Sequence, residues 1–178
     1  MEDNQAYIDE FIQGNEQAFV HLMNTYSNRL GRYCYNILGN YQDAEDVVQI
    51  TFIKLYQKRK SIKNTEEITG YLYRIAYTTS IDIIRKRKLL LIPLKEQKEQ
   101  YEKPLISEEL FQALMTLKPQ ERSIIYNKIV EEMTYKEMSS IYKKSEASLR
   151  KQVERIKKKL KKALESSNGD CLVEEVVK

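Results

Sequence analysis

Thr134-Tyr135-Lys136-Glu137-Met138-Ser139-Ser140-Ile141, a break at Tyr142-Lys143-Lys144, then Ser145-Glu146-Ala147-Ser148 leading into a long basic run: the reading of residues 134–164 decides the fold. Thr134 with Glu137 three residues on is a capping-box pattern, in which hydroxyl and carboxylate each satisfy an orphan amide of the other's turn. Ser145 is a second N-cap. Beyond it Leu149, Val153, Ile156, Leu160 and Leu164 recur at three- and four-residue steps and so share one helix face. The remaining faces carry Arg150, Lys151, Arg155, Lys157, Lys158, Lys159, Lys161 and Lys162. A short helix, a tight turn and a longer helix with one apolar stripe and a cationic remainder predict a helix-turn-helix whose second helix reads duplex DNA. The plainer account of the basic run is a solvated amphipathic helix; the two caps and the preceding short helix weigh against it.

Composition narrows the rest. With 42% hydrophobic and 31% charged residues over 178, the chain reads as a soluble globular protein of one large or two small domains. It has no apolar run near the ~18 residues of a membrane span. The acidic start Glu2-Asp3 is the reverse of a secretory signal, and Cys34 and Cys171 alone make no disulfide framework. Both point to a reducing cytoplasm without membrane insertion. The net charge of +4 hides an asymmetry: the first 50 residues hold eight acids against Arg29 and Arg32, so the surplus of cations lies in the rear. An acidic front and a basic rear suggest two partners of opposite character, the rear one polyanionic.

Taken in order, Tyr7, Ile8, Phe11 and Ile12 predict a short amphipathic helix ended near Gly14. Asn15 caps a second helix with Phe19, Leu22, Met23, Tyr26, Leu30, Cys34, Ile37 and Leu38 inward, stopped at Gly39-Asn40. A third helix opens on Asp43-Ala44-Glu45-Asp46, acids suited to a helix N-terminus, and buries Val47, Val48, Phe52, Leu55 and Tyr56. Its Ile50 and Ile53 fall on other faces, which implies a wide core face or an apolar surface kept for a partner. Residues 61–69 read as a polar connection, and a fourth helix runs from about Gly70 through Arg87, with Tyr71, Tyr73 and Tyr77 in its first turns and Arg85-Lys86-Arg87-Lys88 at its end. Those cations suit the helix dipole; beside tyrosines they also suit single-stranded nucleic acid. Periodicity is lost from Leu89 to Ser107, which reads as a flexible linker. Helices resume at Ser107-Glu108 and, with Pro119 in a first turn, around Ile124, Ile125 and Ile129. The expected architecture is all-α: residues 1–89 as one small helical domain, 90–106 as linker, 107–165 as a second, and 166–178 as tail.

Nothing in the sequence marks an enzyme. The single histidine, His21, lies beside an apolar face, no Cys/His group stands at metal spacing, and the five glycines form no phosphate-cradling loop. No cofactor and no small-molecule substrate are expected.

Three segments carry a resemblance to a known family. Asp43-Ala44-Glu45-Asp46-Val47-Val48-Gln49-Ile50-Thr51-Phe52 is similar to the Ala-Glu-Asp-hydrophobic-x-Gln-x-x-Phe signature of region two of the bacterial sigma-70 family, in its compact extracytoplasmic-function (ECF) group. Tyr71-Leu72-Tyr73-Arg74-Ile75-Ala76 with Ile81-Asp82-Ile83-Ile84-Arg85 resembles that region's later segment. Leu117-Lys118-Pro119-Gln120-Glu121-Arg122, followed by Thr134-Tyr135-Lys136-Glu137-Met138 and the basic helix, resembles region four.

The resemblance implies a promoter-specificity factor that works with core RNA polymerase. Asp46, Gln49, Ile50 and Ile53 would then dock on the clamp helices of the polymerase's largest subunit. The 61–69 connection and the start of the fourth helix, with Lys63, Asn64, Tyr73, Tyr77 and Thr78, would open the minus-ten promoter element and hold an extruded base. Arg85, Lys86, Arg87 and Lys88 would steady DNA phosphates. Ser148, Arg150, Lys151, Gln152 and Arg155 would enter the major groove of the minus-thirty-five element. An anti-sigma factor is implied as a further partner. The chain departs from the family in having Ile50 for Glu, Tyr71 for Trp, Thr78 for Asn, Lys143 for Gly and Gln152 for Arg. The last alters the expected base preference, since Gln matches adenine and Arg matches guanine. The competing readings are a free-standing helix-turn-helix regulator, which needs a dimerisation face or ligand pocket, and an adaptor whose basic helix binds an acidic protein.

Overall fold

A computed structural model describes residues 2–62, 65–90 and 107–165. Eight α-helices and a 3₁₀ turn make up its regular structure: α1 (Glu2–Gln13), α2 (Glu16–Leu38), α3 (Tyr41–Lys58), the 3₁₀ turn (Arg59–Ser61), α4 (Thr65–Leu90), α5 (Glu108–Met115), α6 (Pro119–Ile129), α7 (Tyr135–Tyr142) and α8 (Glu146–Glu165). The described residues hold no strand. The linker expected at 90–106 lies, beyond Leu90, outside the described residues, as does the tail at 166–178.

Short polar side chains set the helix boundaries. Asn15 Oδ1 accepts from the amides of Gln17 (2.8 Å) and Ala18 (3.2 Å) and opens α2. Gly39, at φ 67°, closes it in the left-handed conformation that glycine adopts without Cβ strain. The very next residue, Asn40, opens α3 by accepting from the Asp43 amide at 3.0 Å. Stop and start are thus consecutive, and α2 and α3 fold back on each other through a single tight corner. The capping box at Thr134 is formed: Glu137 Oε2 accepts from the Thr134 amide at 2.7 Å, and Thr134 Oγ1 from the Glu137 amide at 3.2 Å.

One boundary differs from expectation. α4 begins at Thr65, not near Gly70, so the 61–69 connection is mostly helix. The reason is Ile68, fully buried, which carries the Leu72, Ile75 and Ala76 stripe back by one turn. Of the connection that remains, Lys63 and Asn64 lie outside the described residues.

The two halves share one apolar core. α2 is its axis: Leu22, Tyr26, Leu30 and Ile37 are buried along it, and the helix packs on α3 and α4 as well as on α5 and α6. α1 roofs the outer end, with Phe11 stacked on Phe19 at 5.6 Å. Each fully buried large side chain contributes roughly 1.5–3 kcal/mol over its exposed state. The seam between the halves also holds a buried polar chain. Tyr33 (α2) and Ser123 (α6) share a hydrogen bond of 2.7 Å, Ser123 and Tyr142 (α7) another of 2.7 Å, and Asn127 donates to the Tyr142 hydroxyl at 2.8 Å.

Arg122 fastens the same seam. Its guanidinium is buried and donates to the carbonyls of Ile37 (2.5 Å), Leu117 (3.0 Å) and Met115 (3.3 Å), joining the end of α2 to the α5–α6 turn. A cation at the carboxyl end of α2 also meets the negative pole of that helix. At the rim, Arg29 Nε donates to Glu131 Oε2 at 3.0 Å.

Candidate functional site

α3 presents a stripe to solvent. Val47, Thr51, Phe52 and Leu55 are buried on its inner side, which turns Asp46, Gln49, Ile50 and Ile53 outward at helical spacing. Asp46 and Gln49 are exposed, Ile50 is half-buried, and Ile53 is 57% exposed. Ile53 beside the half-buried Ile50 makes a small apolar spot edged by the Asp46 carboxylate and the Gln49 amide.

α4 is the opposite case. Tyr73 is fully buried, with its ring edge-on to Tyr33 at 5.0 Å; Tyr77 is half-buried, edge-on to Tyr142 at 5.0 Å. Burial first, then the nearby Glu131 carboxylate, pushes the Tyr73 phenol well above its usual range, so it stays neutral. Thr78 is exposed on the surface, its hydroxyl donating to the Arg74 carbonyl at 2.9 Å. At the end of the helix Lys86 and Lys88 are exposed, Arg85 pairs with Asp82 at 3.1 Å in the open, and Arg87 is committed to Asp43 at the start of α3 (Nη2 to Oδ1, 2.5 Å). Between the start of α4 and the start of α7 runs a groove of about 660 Å³, with Ile62, Glu67, Tyr71 and Arg74 on one wall and Lys136 and Glu137 on the other.

The helix-turn-helix is built as its caps require. α7 ends at Lys143, whose backbone is left-handed (φ 54°), the conformation a glycine would take without strain. Ser139 Oγ donates to the Lys144 carbonyl and fixes the turn. α8 then buries Leu149, Val153, Ile156, Leu160 and Leu164 and leaves Arg150, Lys151 and Arg155 exposed. Arg150 lies over the Tyr135 ring, 4.9 Å from its centroid, which steers it back along α7. Ser148 and Gln152 are half-buried and bonded to each other, Gln152 Nε2 donating to Ser148 Oγ at 3.0 Å.

Three groups escaped the sequence reading. Lys144 donates to Gln152 Oε1 at 2.7 Å across the turn; Arg122 and Tyr142 knit the halves together. Arg122 stands among Lys118, Gln120, Glu121 and Ser123, so its sequence neighbours gave no sign of its burial. Among the described residues no group of three His, Cys, Asp or Glu side chains could hold a metal ion, and no helix is long and apolar enough to cross a membrane.

These surfaces coincide with two family models. Sigma-70 region 2 matches residues 22–89, which contain α3 and α4, and Sigma-70, region 4 matches residues 107–160, which contain the helix-turn-helix. The chain belongs to the sigma-70 family. Among curated relatives of this sigma-family chain, the ECF RNA polymerase sigma factor SigW of Bacillus subtilis is 36% identical over 81 residues, 46% of this chain and 43% of SigW. The ECF RNA polymerase sigma factor SigE of Mycolicibacterium smegmatis is 24% identical over 163 residues, 84% of this chain and 62% of the relative. The matched segments thus span less than two thirds of either relative's length. Two solved structures share the sigma fold. CnrH, in complex with the cytosolic domain of CnrY, aligns with TM-score 0.70 at 19% identity over 92% of this chain and 97% of that one. RpoE of Bartonella quintana, in complex with the anti-sigma factor NepR, aligns with TM-score 0.72 at 18% identity over 83% of this chain and 96% of that one.

Proposed function

We propose that this chain is an ECF sigma factor that binds core RNA polymerase and directs it to promoters, acting in the cytoplasm and catalysing nothing itself. The observation that carries this reading is the exposed stripe of Asp46, Gln49, Ile50 and Ile53 within the segment matched by region 2. That stripe is the polymerase contact. Lys63, Asn64, Tyr73, Tyr77, Thr78 and the cations from Arg85 to Lys88 engage the minus-ten element. Ser148, Arg150, Lys151, Gln152 and Arg155 engage the minus-thirty-five element.

Tyr73 and Tyr77 lie under the second half, so engagement of the minus-ten element requires the halves to part. Polymerase is the agent that holds them apart, because its contact surface on α3 is accessible in the closed arrangement. An anti-sigma factor, like the NepR bound to RpoE, would act on the same equilibrium.

Transcription by the reconstituted holoenzyme from a promoter library tests the reading. Arg150→Ala and Arg155→Ala are each expected to lose about 1–3 kcal/mol of minus-thirty-five recognition if the residue reads a base edge. Lys158→Ala should weaken binding at all sequences alike. Unchanged promoter use in all three variants would remove α8 from the interface.

A further inference from the structure

In the turn and first turns of the recognition helix, Lys144, Gln152 and Ser148 form a connected row. Lys144 Nζ donates to Gln152 Oε1 at 2.7 Å, and Gln152 Nε2 donates to Ser148 Oγ at 3.0 Å. An ammonium group has hydrogens to give and no lone pair, so the end of the amide that faces it must be the oxygen. The chemistry of the neighbours therefore fixes which way round Gln152 sits.

That orientation has a cost for base reading. A glutamine recognises adenine through both ends of its amide at once, the oxygen accepting from N6 and the nitrogen donating to N7. Here the oxygen is held by a full positive charge, and the nitrogen is turned along the helix toward Ser148. The ammonium takes one of the oxygen's two lone pairs and draws it away from a base edge, and what the row adds there is donors: the ammonium hydrogens left over on Lys144 and one hydrogen of Nε2. Guanine, with O6 and N7 both acceptors in the major groove, is the complement of such a row.

We propose that Lys144 is a specificity-determining residue: clamped on Gln152, it converts an adenine-reading side chain into part of a guanine-reading pair. Lys144 lies ahead of α8, in the turn, and its carbonyl is held by Ser139, so the clamp is built into the helix-turn-helix itself. The inference rests on the region 4 reading of α8.

The test is selection from a minus-thirty-five library by holoenzyme carrying the full chain. Wild type is expected to select guanine at one position, and Lys144→Met to shift that position toward adenine by on the order of tenfold, with the other positions unchanged. Lys144→Arg, which retains a donor, should keep guanine; Gln152→Ala should weaken the guanine preference without creating one for adenine. These two variants decide the matter should Lys144→Met fail to fold. The same base selected by wild type and Lys144→Met at every position overturns the proposal, as does adenine selected by wild type at a position that Gln152→Ala relaxes. If Arg155→Ala alters promoter choice while Lys144→Met does not, the clamp is wrong and α8 remains the reader; if neither does, the reading of α8 falls with it.

Discussion

Two faces of the first half are treated oppositely. On α3, Ile53 stands 57% exposed beside Asp46 and Gln49; on α4, Tyr73 has no exposure and Tyr77 is covered by Tyr142 from the second half. The same small bundle therefore leaves one of the two faces open and covers the other. The difference lies in what the second half can cover: α2 and α4 pack on α6 and α7, whereas α3 packs on the far side of α2 and α4. Under the function proposed above, this arrangement orders events, with docking on polymerase open from the outset and DNA opening available only after separation.

The largest effect should come from the open face. Ile53→Glu is expected to weaken core polymerase binding about tenfold or more, since burying one isoleucine at a contact is worth roughly 1.5–3 kcal/mol. Helicity and melting temperature should stay near wild-type values because the side chain is mostly exposed. Equal affinity by titration would mean that the exposed stripe has another use.

The seam should respond next. Arg122→Met leaves the carbonyls of Ile37, Met115 and Leu117 without their donor and should cost about 2–3 kcal/mol in denaturant unfolding. Tyr33→Phe removes the hydroxyl that bonds Ser123 and should cost about 1 kcal/mol. If the seam governs access to Tyr77, both variants will also show a larger radius of gyration in solution scattering than wild type; an unchanged radius would separate stability from opening.

Alkali attacks the same region. Burial pushes the Cys34 thiol up to about 12 and raises the Tyr33 and Tyr142 phenols, groups that fold as neutral acids. Their contribution is complete below the ordinary thiol and phenol values and is lost as pH rises through the raised ones, because only the unfolded chain then releases protons. Stability should therefore decline above about pH 9 and more steeply past about pH 10. A melting temperature flat across that range would contradict the burial of these groups.

The smallest change is at the turn. Lys143→Gly should stabilise the protein by about 0.5–1 kcal/mol, the left-handed strain relieved less the entropy of the freer unfolded chain. A loss of stability would show that the Lys143 side chain contributes more than its backbone costs.

The helices and their ends were legible because each depends on neighbours in sequence: Asn15, Gly39, Ser107, Thr134 with Glu137, and the α8 stripe all act within one turn. The early start of α4 was missed because Ile68 sits amid polar residues and only its burial shows that it belongs to the core. The withheld face could not be read at all. Tyr33, Ser123, Asn127 and Tyr142 come from three helices, and hydroxyls look alike in a sequence whether they meet water or one another. At the candidate site, Gln152 is expected from its place on α8, but the ammonium that orients it lies across a turn.

The most direct measurement is a permanganate footprint of promoter DNA with the chain alone, with core RNA polymerase alone, and with both. Single-stranded thymines at the minus-ten element are expected only when chain and polymerase are combined, and should be lost with Ile53→Glu. Melting or a strong sequence-specific footprint by the chain alone, or a closed promoter in the complete mixture, would contradict the account.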